Sequence, residues 1–486
     1  MKIHSMKKQN EPKLNLKKAC LIILVAYAIL VVGFYFLAGD QLRYRNSRGN
    51  VIMPAPESGT VELVQGAVVE QHFAAPIQRL ERVSVQWGTY YRANAGTAFM
   101  ELWRMDSEQL LLKQSFDVST IPEGGVTTLM AEEPIEGIYN VPLMLRLYAD
   151  SQPGTAASPL MSTSAEREEG DALYLNGVPT EAVMCLGAEG EDYIWTGLHY
   201  WTFVAIGVAV LLAFFALVWY RQKKGHSYVV NAIVAVQKYR FLIRQLVSRD
   251  FKTKYKRSVL GMFWSFLNPL LTMLVQYIVF STIFRSDIKN FPAYLLIGIV
   301  SFNFFSEACG MALTSILGNA GLITKVYMPK YIYPLTRVMS SVVNLVISLV
   351  PMVLVCLITG VKFHKSAVLI FYFLTCLIIF SFGFGLVLAS SMVFFRDTQF
   401  LWGVLSMLWM YATPIFYPET ILPDEFRGIL QINPLYHFIK SGRMCILSGI
   451  SPEPSVYIQC MLIALGMLVV GAVVFRKCQD RFVLYL

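Results

Sequence analysis

The sequence predicts a polytopic α-helical membrane protein of about eight spans, with an extracytoplasmic, jelly-roll-like β-sandwich inserted between the first two spans. Composition is the first reason: of 486 residues, 55% are hydrophobic and only 15% are charged, and the mean hydropathy is +0.52. These values lie outside the range of soluble proteins. Apolar runs of about the 20 residues that a bilayer core requires recur along the chain. Between the first two runs, the pattern changes to short segments of alternating polar and apolar residues, which indicate β-strands.

The apolar runs define the predicted spans. A basic stretch at 1–18 precedes the first run at 19–38, which ends in aromatic residues and not in a small-residue cleavage site. We therefore predict an uncleaved transmembrane anchor. The second run covers 201–219. Six further runs lie at about 264–284, 293–317, 335–359, 366–393, 400–417 and 455–475.

The distribution of charge predicts the orientation of the chain. Asp40 to Gly197 contains 22 Asp and Glu against 10 Lys and Arg, a net charge of −12, whereas the remaining residues carry +21. Basic loops stay in the cytoplasm by the positive-inside rule. We therefore expect both termini in the cytoplasm, residues 40–197 outside, and a multi-pass protein of the plasma (inner) membrane. This split also removes the main reason to expect a nucleic-acid partner.

Residues 221–258 are predicted to form a cytoplasmic amphipathic region. Between 221 and 257 there are 11 Lys and Arg, opposed only by Asp250. Four apolar residues recur at helical spacing on one face: Tyr239, Leu242, Ile243 and Leu246. This pattern favours a basic helix lying on the inner membrane surface, and an ordinary solvated helix between spans is the alternative.

Four motifs carry a resemblance to a known family. They are RDFKTKYKRSVLG at 249–261, followed by a tryptophan at 264, then GLITKVYMPKYIYPL at 321–335, FFRDTQ at 394–399 and NPLY at 433–436. In order and spacing they resemble the membrane (permease) subunit of ABC polysaccharide exporters of the O-antigen and teichoic-acid class. The resemblance covers about residues 228–486 and implies a six-helix permease domain at 259–486. It also implies an interface helix with the residues Arg249, Asp250, Lys252, Tyr255, Lys256, Gly261 and Trp264.

The family implies that the second motif is a coupling helix seated in a cleft of a separate ATPase subunit. The candidate coupling residues are Lys325, Val326, Tyr327, Met328, Pro329, Lys330, Arg396 and Asp397. The predicted topology places residues 318–334 and 394–399 in the cytoplasm, where an ordinary connecting loop is the alternative. Arg396 and Asp397 are expected either to pair with each other or to contact the ATPase.

A proline-broken stretch between the last two predicted spans is the candidate outer gate. Its defining residues are Pro414, Tyr417, Pro418, Pro423, Asn433 and Pro434. Broken backbone at membrane depth is tolerated only where it is buried in protein or lines a cavity. The stretch therefore fits the short re-entrant helices that the family implies.

Three residues are candidates for the transport path. Glu307 falls near the middle of a span, where a carboxylate requires a partner or a water-filled path. A hydrogen bond with Asn303 or Ser306 is the alternative. Phe302 and Phe305 are included because sugar rings stack on aromatic faces.

Missing motifs argue against an enzyme. The chain has no Gly-x-x-x-x-Gly-Lys-Ser/Thr phosphate loop, no Asp-x-Asp pair for a sugar nucleotide and no His-Glu-x-x-His metal motif. We expect no cofactor in this chain, with ATP and Mg bound by the partner subunit. The expected assembly is a homodimer with two copies of an ABC ATPase, exporting a lipid-linked glycan such as O-antigen or teichoic acid. The alternatives are export of a smaller amphiphile, such as a lipid or drug, and a membrane-anchored glycan receptor or assembly scaffold without transport.

The role of the predicted β domain is left open. Possible glycan contacts are Trp87, Tyr90, Tyr91, Arg92 and Trp103. Trp87 and Trp103 are equally compatible with a place in the core. A spacer, or a docking site for a cell-wall assembly partner, is the alternative to glycan binding.

Overall fold

The computed structural model describes residues 16–485 except residues 166–169, 225–227, 255, 257, 283–289, 326–327, 422, 424–427 and 429. The chain divides into two compact units. Arg43–Leu198 is one, here the β unit, and the described residues before and after it form the other, here the helical unit. Three candidate site residues, Tyr255, Val326 and Tyr327, lie outside the described residues, as does most of the basic stretch at 1–18.

The β unit consists of two antiparallel sheets. Its strands are β1 (Tyr44–Asn46), β2 (Ser58–Gly59), β3 (Val68–Ala74), β4 (Arg79–Gly88), β5 (Thr97–Arg104), β6 (Gln109–Asp117), β7 (Val126–Glu136), β8 (Pro142–Ala149), β9 (Ser158–Ser162), β10 (Ala172–Leu175), β11 (Val178–Thr180), β12 (Val183–Met184) and β13 (Leu186–Tyr193). Seven strands form one sheet in the order β1-β13-β4-β9-β12, with β2 on β9 and β7 on β4. The other six follow the order β11-β10-β3-β8-β5-β6.

Alternation along the strands builds a single core in the β unit. Strand β4 of one sheet and β8 of the other each contribute three completely buried side chains: Val83, Val85, Trp87, Leu143, Leu145 and Leu147. All six belong to one apolar cluster. Two sheets that share a core in this way form a sandwich, so the predicted β-sandwich is confirmed.

The helical unit contains eleven helices of ten or more residues among those the structure describes. They are α1 (Leu16–Ala38), α2 (Tyr200–Lys223), α3 (Tyr228–Lys238), α4 (Arg240–Lys254), α5 (Phe263–Thr282), α6 (Phe291–Leu313), α7 (Ile332–Ile358), α8 (Ile370–Phe394), α9 (Thr398–Ala412), α10 (Pro434–Arg443) and α11 (Pro454–Cys478). Short helical segments of this unit lie at Ala320–Ile323 and Phe482–Tyr485, and a π-helical turn, Met444–Ser448, follows α10. A further short helix, Trp195–Leu198, ends the β unit.

Seven helices of the described chain are long and apolar enough to cross a membrane, namely α1, α2, α5, α6, α7, α8 and α11. The predicted polytopic class is therefore confirmed. The eighth predicted span, at 400–417, is wrong as one continuous helix. Helix α9 has only 15 residues, about 22 Å at 1.5 Å per residue, whereas the bilayer core is about 30 Å thick. It ends before Pro414 because proline disfavours helical geometry in the residue before it.

The amphipathic region forms two helices, α3 and α4, and its apolar face packs against protein. Tyr239, Leu242 and Ile243 contact a buried group that we call the basal cluster, and Leu246 is only 5% exposed. The basal cluster comprises Ile316, Met328, Ile332, Tyr333, Leu386, Ala389, Val393, Phe475 and Phe482. Three of the four face residues are only partly buried, so this packing is compatible with a position at the inner membrane surface, which stays a prediction.

Helices α8 and α11 cross with their backbones in contact. A Cβ atom on Gly383 would lie 2.6 Å from backbone atoms of Leu468, and one on Gly471 would lie 2.0 Å from the carbonyl oxygen of Gly383. Small residues at helix crossings let membrane helices approach closely. At this crossing no residue larger than glycine fits.

Candidate functional site

The stretch after α9 is broken backbone held by one buried arginine. Thr413 to Phe416 is non-helical and buried. The Arg443 side chain donates from Nη1 to the carbonyl of Pro414 (2.6 Å), from Nη2 to that of Ile415 (2.9 Å) and from Nε to that of Tyr294 (3.2 Å). Its guanidinium also lies 3.5 Å from the centroid of the Tyr294 ring. These bonds satisfy carbonyl groups that lipid could not, which is what broken backbone at membrane depth requires.

A glycine on α6 makes room for this arginine. A Cβ atom on Gly298 would lie 2.5 Å from Nη2 of Arg443 and 3.0 Å from the side chain of Ile415. The planar fork of the guanidinium reaches two neighbouring carbonyls at once, a geometry that lysine lacks. Arg443 and Gly298 therefore act together to fix the backbone at Pro414 and Ile415. We call the described part of residues 413–448 the broken segment.

Asn433 joins the end of α9 to the start of α10. Its Oδ1 accepts from the backbone N–H of Leu435 (3.1 Å) and from Trp409 Nε1 (2.8 Å), and its Nδ2 donates to Thr413 Oγ1 (2.8 Å). Pro434 follows at the first position of the helix, where its missing N–H is not needed. Asn433 is thus both a helix cap and a link between two helices.

A cavity of about 610 Å³ opens beside the broken segment, and Pro414 and Pro418 contribute to its wall. Inside it, Lys440 Nζ lies 2.8 Å from Glu419 Oε1, and Tyr436 donates a hydrogen bond to the same carboxylate. The other candidate gate residues differ in environment. Tyr417 is half-buried, with its carbonyl accepting from Tyr294 Oη at 3.0 Å, whereas Pro423 is exposed.

The interface helix is anchored by a buried carboxylate. The Asp250 side chain is only 4% exposed and lies 3.1 Å from both Arg249 Nη2 and Arg337 Nη1. Arg249 also donates to Asn319 Oδ1 at 3.3 Å. Because Arg337 belongs to α7, this ion-pair group ties α4 to a long helix of the membrane core.

The remaining interface candidates lie at the surface. Lys252 and Lys256 are exposed, Gly261 adopts a left-handed backbone (φ +52°) and Trp264 is 44% exposed. Asp250 is therefore the one buried anchor among the described interface candidates.

Glu307 has different partners from those expected. Its Oε1 accepts from Asn344 Nδ2 at 2.6 Å and pairs with Lys254 Nζ at 2.9 Å. Neither Asn303 nor Ser306 makes this contact among the described hydrogen bonds. Asn344 lies on α7 and Lys254 on α4, so the carboxylate joins three helices. Its side chain is 29% exposed, so its role as a transport-path residue stays a prediction.

The two aromatic path candidates are buried core residues. Phe302 and Phe305 are 4% and 0% exposed. The ring of Phe305 lies within 6.0 Å of the rings of Phe380, Phe384 and Trp409. The prediction that these two rings line a transport path is wrong because neighbouring helices cover them within a single chain.

The candidate coupling segment is only partly exposed. Lys325 is exposed and Pro329 half-buried, but Met328 is 6% exposed within the basal cluster. Lys330 donates to the carbonyl of Gln479, so this cation binds the C-terminal part of its own chain. Of the described candidates on this segment, only Lys325 is exposed.

Arg396 and Asp397 lie between α8 and α9, at the same end of the helical unit as the basal cluster. Both are exposed. Neither makes an ion pair with the other or with any other described residue. The predicted ion pair is therefore absent, which leaves both side chains available for a partner.

The five candidate glycan contacts do not form one site. Trp87 is completely buried, with Nε1 donating to Thr127 Oγ1 at 2.7 Å, and therefore cannot touch a glycan. Tyr90, Tyr91 and Arg92 lie on the loop before β5. Trp103 lies near the far end of β5, six residues beyond its first residue, or about 20 Å away at 3.4 Å per residue.

The loop before β5 is tightly held. Tyr90 and Tyr91 both adopt left-handed backbones (φ +58° and +53°), which bulky residues rarely do. Hydrogen bonds from the Thr89 side chain and from backbone N–H groups of the loop hold the pKa of Glu123 below its ordinary value. Arg92 pairs with Glu62 at 2.7 Å. Only Tyr91, 91% exposed, stands clear of the unit.

Comparison with known proteins identifies the region that contains most of these features. The sequence profile of the ABC-2 type transporter family matches residues 242–447. This region is an ABC-2 type transporter domain. It begins within α4 and ends in the π-helical turn after α10, so it includes the Asp250 group, Glu307, the coupling candidates and the broken segment up to residue 447.

Individual relatives match about half of this chain over almost their whole length. The O-antigen export system permease protein RfbA of Myxococcus xanthus is 28% identical over 257 residues, which are 52% of this chain and 98% of the relative. The RfbA of Klebsiella pneumoniae is 29% identical over 243 residues, 50% of this chain and 93% of the relative. The polysialic acid transport protein KpsM of Escherichia coli is 24% identical over 245 residues, 49% and 93% respectively. The predicted resemblance to ABC polysaccharide-export permeases is confirmed.

Several important residues of the ABC-2 domain are absent from the sequence prediction. Arg443, Arg337 and Asn344 are the buried or half-buried polar partners on which the helix contacts depend. Arg443 did carry a signal, since a cation in a segment predicted to lie outside violates the positive-inside rule. Arg337 and Asn344 belong to no sequence motif. Only their contacts in the folded structure, with Asp250 and Glu307 respectively, reveal them.

Proposed function

We propose that this chain is the membrane-spanning subunit of an ATP-driven exporter that moves a lipid-linked cell-surface polysaccharide across the plasma membrane. The observation that carries the proposal is the match of about half of this chain to 93–98% of the length of permeases named for O-antigen and polysialic acid transport. Relatives of this kind are transporter subunits and not enzymes. The chemical step would therefore belong to a partner chain.

The partner would be an ABC ATPase that binds ATP and Mg, present in two copies beneath a homodimer of this chain. Lys325, Arg396 and Asp397 are exposed at one end of the helical unit and support this assignment as the docking surface. Met328 sits behind them in the basal cluster, together with Val393 of α8 and Phe475 of α11. Force applied at the surface would reach three long helices through this packed group.

The exported chain would pass along exposed surfaces of the ABC-2 domain and not through its aromatic interior. Glu307 supports a polar lining, because its carboxylate remains 29% exposed beside Lys254. The broken segment would form the outer gate, with both termini in the cytoplasm and residues 40–197 outside. The −12 charge of that region favours this orientation.

The orientation gives a direct labelling prediction. In a cysteine-free background, Tyr91→Cys is expected to react with a membrane-impermeant maleimide in intact spheroplasts, whereas Lys325→Cys reacts only after permeabilisation. Both parent side chains are exposed, so accessibility reflects the side of the membrane and not burial. Labelling of Lys325→Cys from outside would contradict the proposed topology.

Depletion of the protein tests the function itself. We expect surface polysaccharide to disappear and lipid-linked glycan to accumulate inside the cell, as measured by glycan analysis of both fractions. Complementation with the double variant Lys325→Glu and Arg396→Glu should lower export at least tenfold at unchanged protein level, because reversed charges disrupt docking. Lys362→Glu is the matched control, since this exposed lysine lies beyond the opposite end of α7.

Other outcomes would assign a different function. Unchanged surface glycan with altered export of a lipid or drug would favour a transporter of smaller amphiphiles. Glycan that still crosses the membrane but fails to assemble would favour a receptor or scaffold. Full export by the charge-reversed variant would remove Lys325 and Arg396 from the docking surface.

A further inference from the structure

The outward face of the six-stranded sheet carries charged side chains in register. In one row across five strands, Tyr174 lies opposite Glu70, Glu70 opposite Arg146, Arg146 opposite Glu101, and Glu101 opposite Lys113. These residues alternate along their strands with buried ones, so they point away from the core. Large rings flank this charged row on both sides, and we call the whole surface the aromatic face.

The flanking rings form two platforms on the aromatic face. Phe99 lies opposite Tyr148, and their rings stack with centroids 5.0 Å apart and planes at 16°. Trp103 lies on the other side of the charged row, with Arg146 6.0 Å from its ring centroid. Phe99 and Trp103 are four residues apart on β5, about 14 Å at 3.4 Å per residue. A single sugar ring cannot reach both platforms, but an extended oligosaccharide can.

One carboxylate fixes the two platforms in place. Glu101 accepts from Tyr148 Oη at 2.7 Å and from Trp103 Nε1 at 3.0 Å, and pairs with Lys113 Nζ at 2.9 Å. Burial alone would raise the pKa of Glu101, but hydrogen bonds from Lys113, Tyr148 and Trp103 outweigh it, and the pKa lies below its ordinary value. The rings are therefore ordered before any ligand arrives, which lowers the entropic cost of binding.

The aromatic face is electrically neutral within a strongly acidic region. Glu70 pairs with Arg146 at 2.7 Å, and Glu101 pairs with Lys113. Burial lowers the pKa of His72 by more than the neighbouring Glu70 raises it, which favours the neutral imidazole. The surrounding segment, Asp40 to Gly197, carries a net charge of −12. A polyanionic ligand would be repelled by this field.

We propose that the aromatic face binds an extended, uncharged glycan chain. The apolar faces of the sugar rings would stack on Phe99, Tyr148 and Trp103, and their hydroxyl groups would bond to the charged row. Arg146 and Lys113 have donors to spare, since their side chains are 40% and 49% exposed. A protein partner would instead have to desolvate both ion pairs, which is unfavourable.

The choice of a glycan as the occupant rests on the proposed export function, but the binding itself requires no transport. The test uses the full-length chain in lipid nanodiscs without any ATPase. An array of uncharged and anionic oligosaccharides of six to ten sugars serves as the probe, and the best uncharged chain is then titrated calorimetrically. We expect uncharged chains to bind and monosaccharides not to compete.

Variants locate the site. Trp103→Ala and Lys113→Met should each weaken binding about tenfold, whereas Tyr91→Ala, which removes an exposed ring from the loop before β5, should leave it unchanged. Unchanged thermal unfolding would show that each variant is folded. Absence of binding by every uncharged chain, a preference for anionic chains, or full affinity of folded Trp103→Ala would overturn the proposal. Since no ATPase is present, none of these outcomes bears on export, which the depletion experiment measures separately.

Discussion

Replacing Arg443 with alanine is expected to destabilise the helical unit by at least about 3 kcal/mol, because three buried carbonyl groups would lose a charged donor. The carbonyls of Tyr294, Pro414 and Ile415 accept from this one side chain, and lipid offers them no alternative. Arg443→Lys should recover only part of the loss, since an ammonium cannot reach three carbonyls in a planar fork. The measurement is the midpoint of thermal unfolding in detergent, followed by tryptophan fluorescence.

Lys440→Ala is the matched control for this experiment. Lys440 is one helical turn away on α10, but its side chain is 44% exposed and pairs with Glu419. Exposed ion pairs contribute about 0–1 kcal/mol, so the midpoint should change little. If Arg443→Ala unfolded at the same temperature as the parent protein, the role of Arg443 in holding the broken segment would be refuted.

Replacing Asp250 with alanine is the second change with a large expected effect. It would leave Arg337 in a mostly buried site without a counter-charge, which we expect to cost about 3 kcal/mol. The Asp250 side chain is 4% exposed and that of Arg337 is 21% exposed, so water screens the pair weakly. Because the pair joins α4 to α7, the variant should also make α4 itself more susceptible to limited proteolysis.

A double-variant cycle separates the pair from its surroundings. Adding Arg337→Ala to Asp250→Ala should restore most of the lost stability, because the unpaired charge is then removed. Asp397→Ala is the control, since this exposed carboxylate has no described partner and its loss should change stability by less than about 0.5 kcal/mol. Simple additivity of the two substitutions would show that the ion pair does not hold α4 in place.

The long helices were predictable because their apolar runs are uninterrupted. Each of the seven long helices corresponds to one predicted run, from the anchor at 19–38 to the last run at 455–475. The run at 400–417 misled the prediction because hydropathy counts Pro414, Ile415 and Phe416 as span residues. Hydropathy does not register that proline disfavours helical geometry in the residue before it, and this restriction on Thr413 ends α9 at Ala412.

In the β unit, the strand pattern was predictable but the direction of each face was not. Because side chains alternate along a strand, the sequence indicates that Val83, Val85 and Trp87 share one face of β4. In the same way it indicates that Phe99 and Trp103 share one face of β5. Both sets contain large apolar residues, so alternation alone cannot tell which set faces the core. Pairing between distant strands decides it, and this pairing carries no local signal.

The candidate site, too, was only partly predictable from the sequence. Motifs located Asp250, Asn433 and the coupling segment, because each lies in a contiguous stretch that resembles a family. The partners of these residues, Arg337 and Trp409, come from other helices, so contiguous motifs could not reveal them. The exposure of Lys325 and the burial of Met328, only three residues apart, likewise depend on the basal cluster.

The backbone contact between α8 and α11 limits the kinds of motion open to the transporter. Two helices that touch at Gly383 and Gly471 cannot be pushed closer together, and separating them would open an empty gap. The relative motion that remains is a change in the crossing angle of α8 and α11 about this contact point. Both helices contribute to the basal cluster. When this cluster is displaced, the far ends of α8 and α11 would therefore move in the opposite direction. A change in shape that starts on one side of the membrane would in this way reach the other without any melting of either helix.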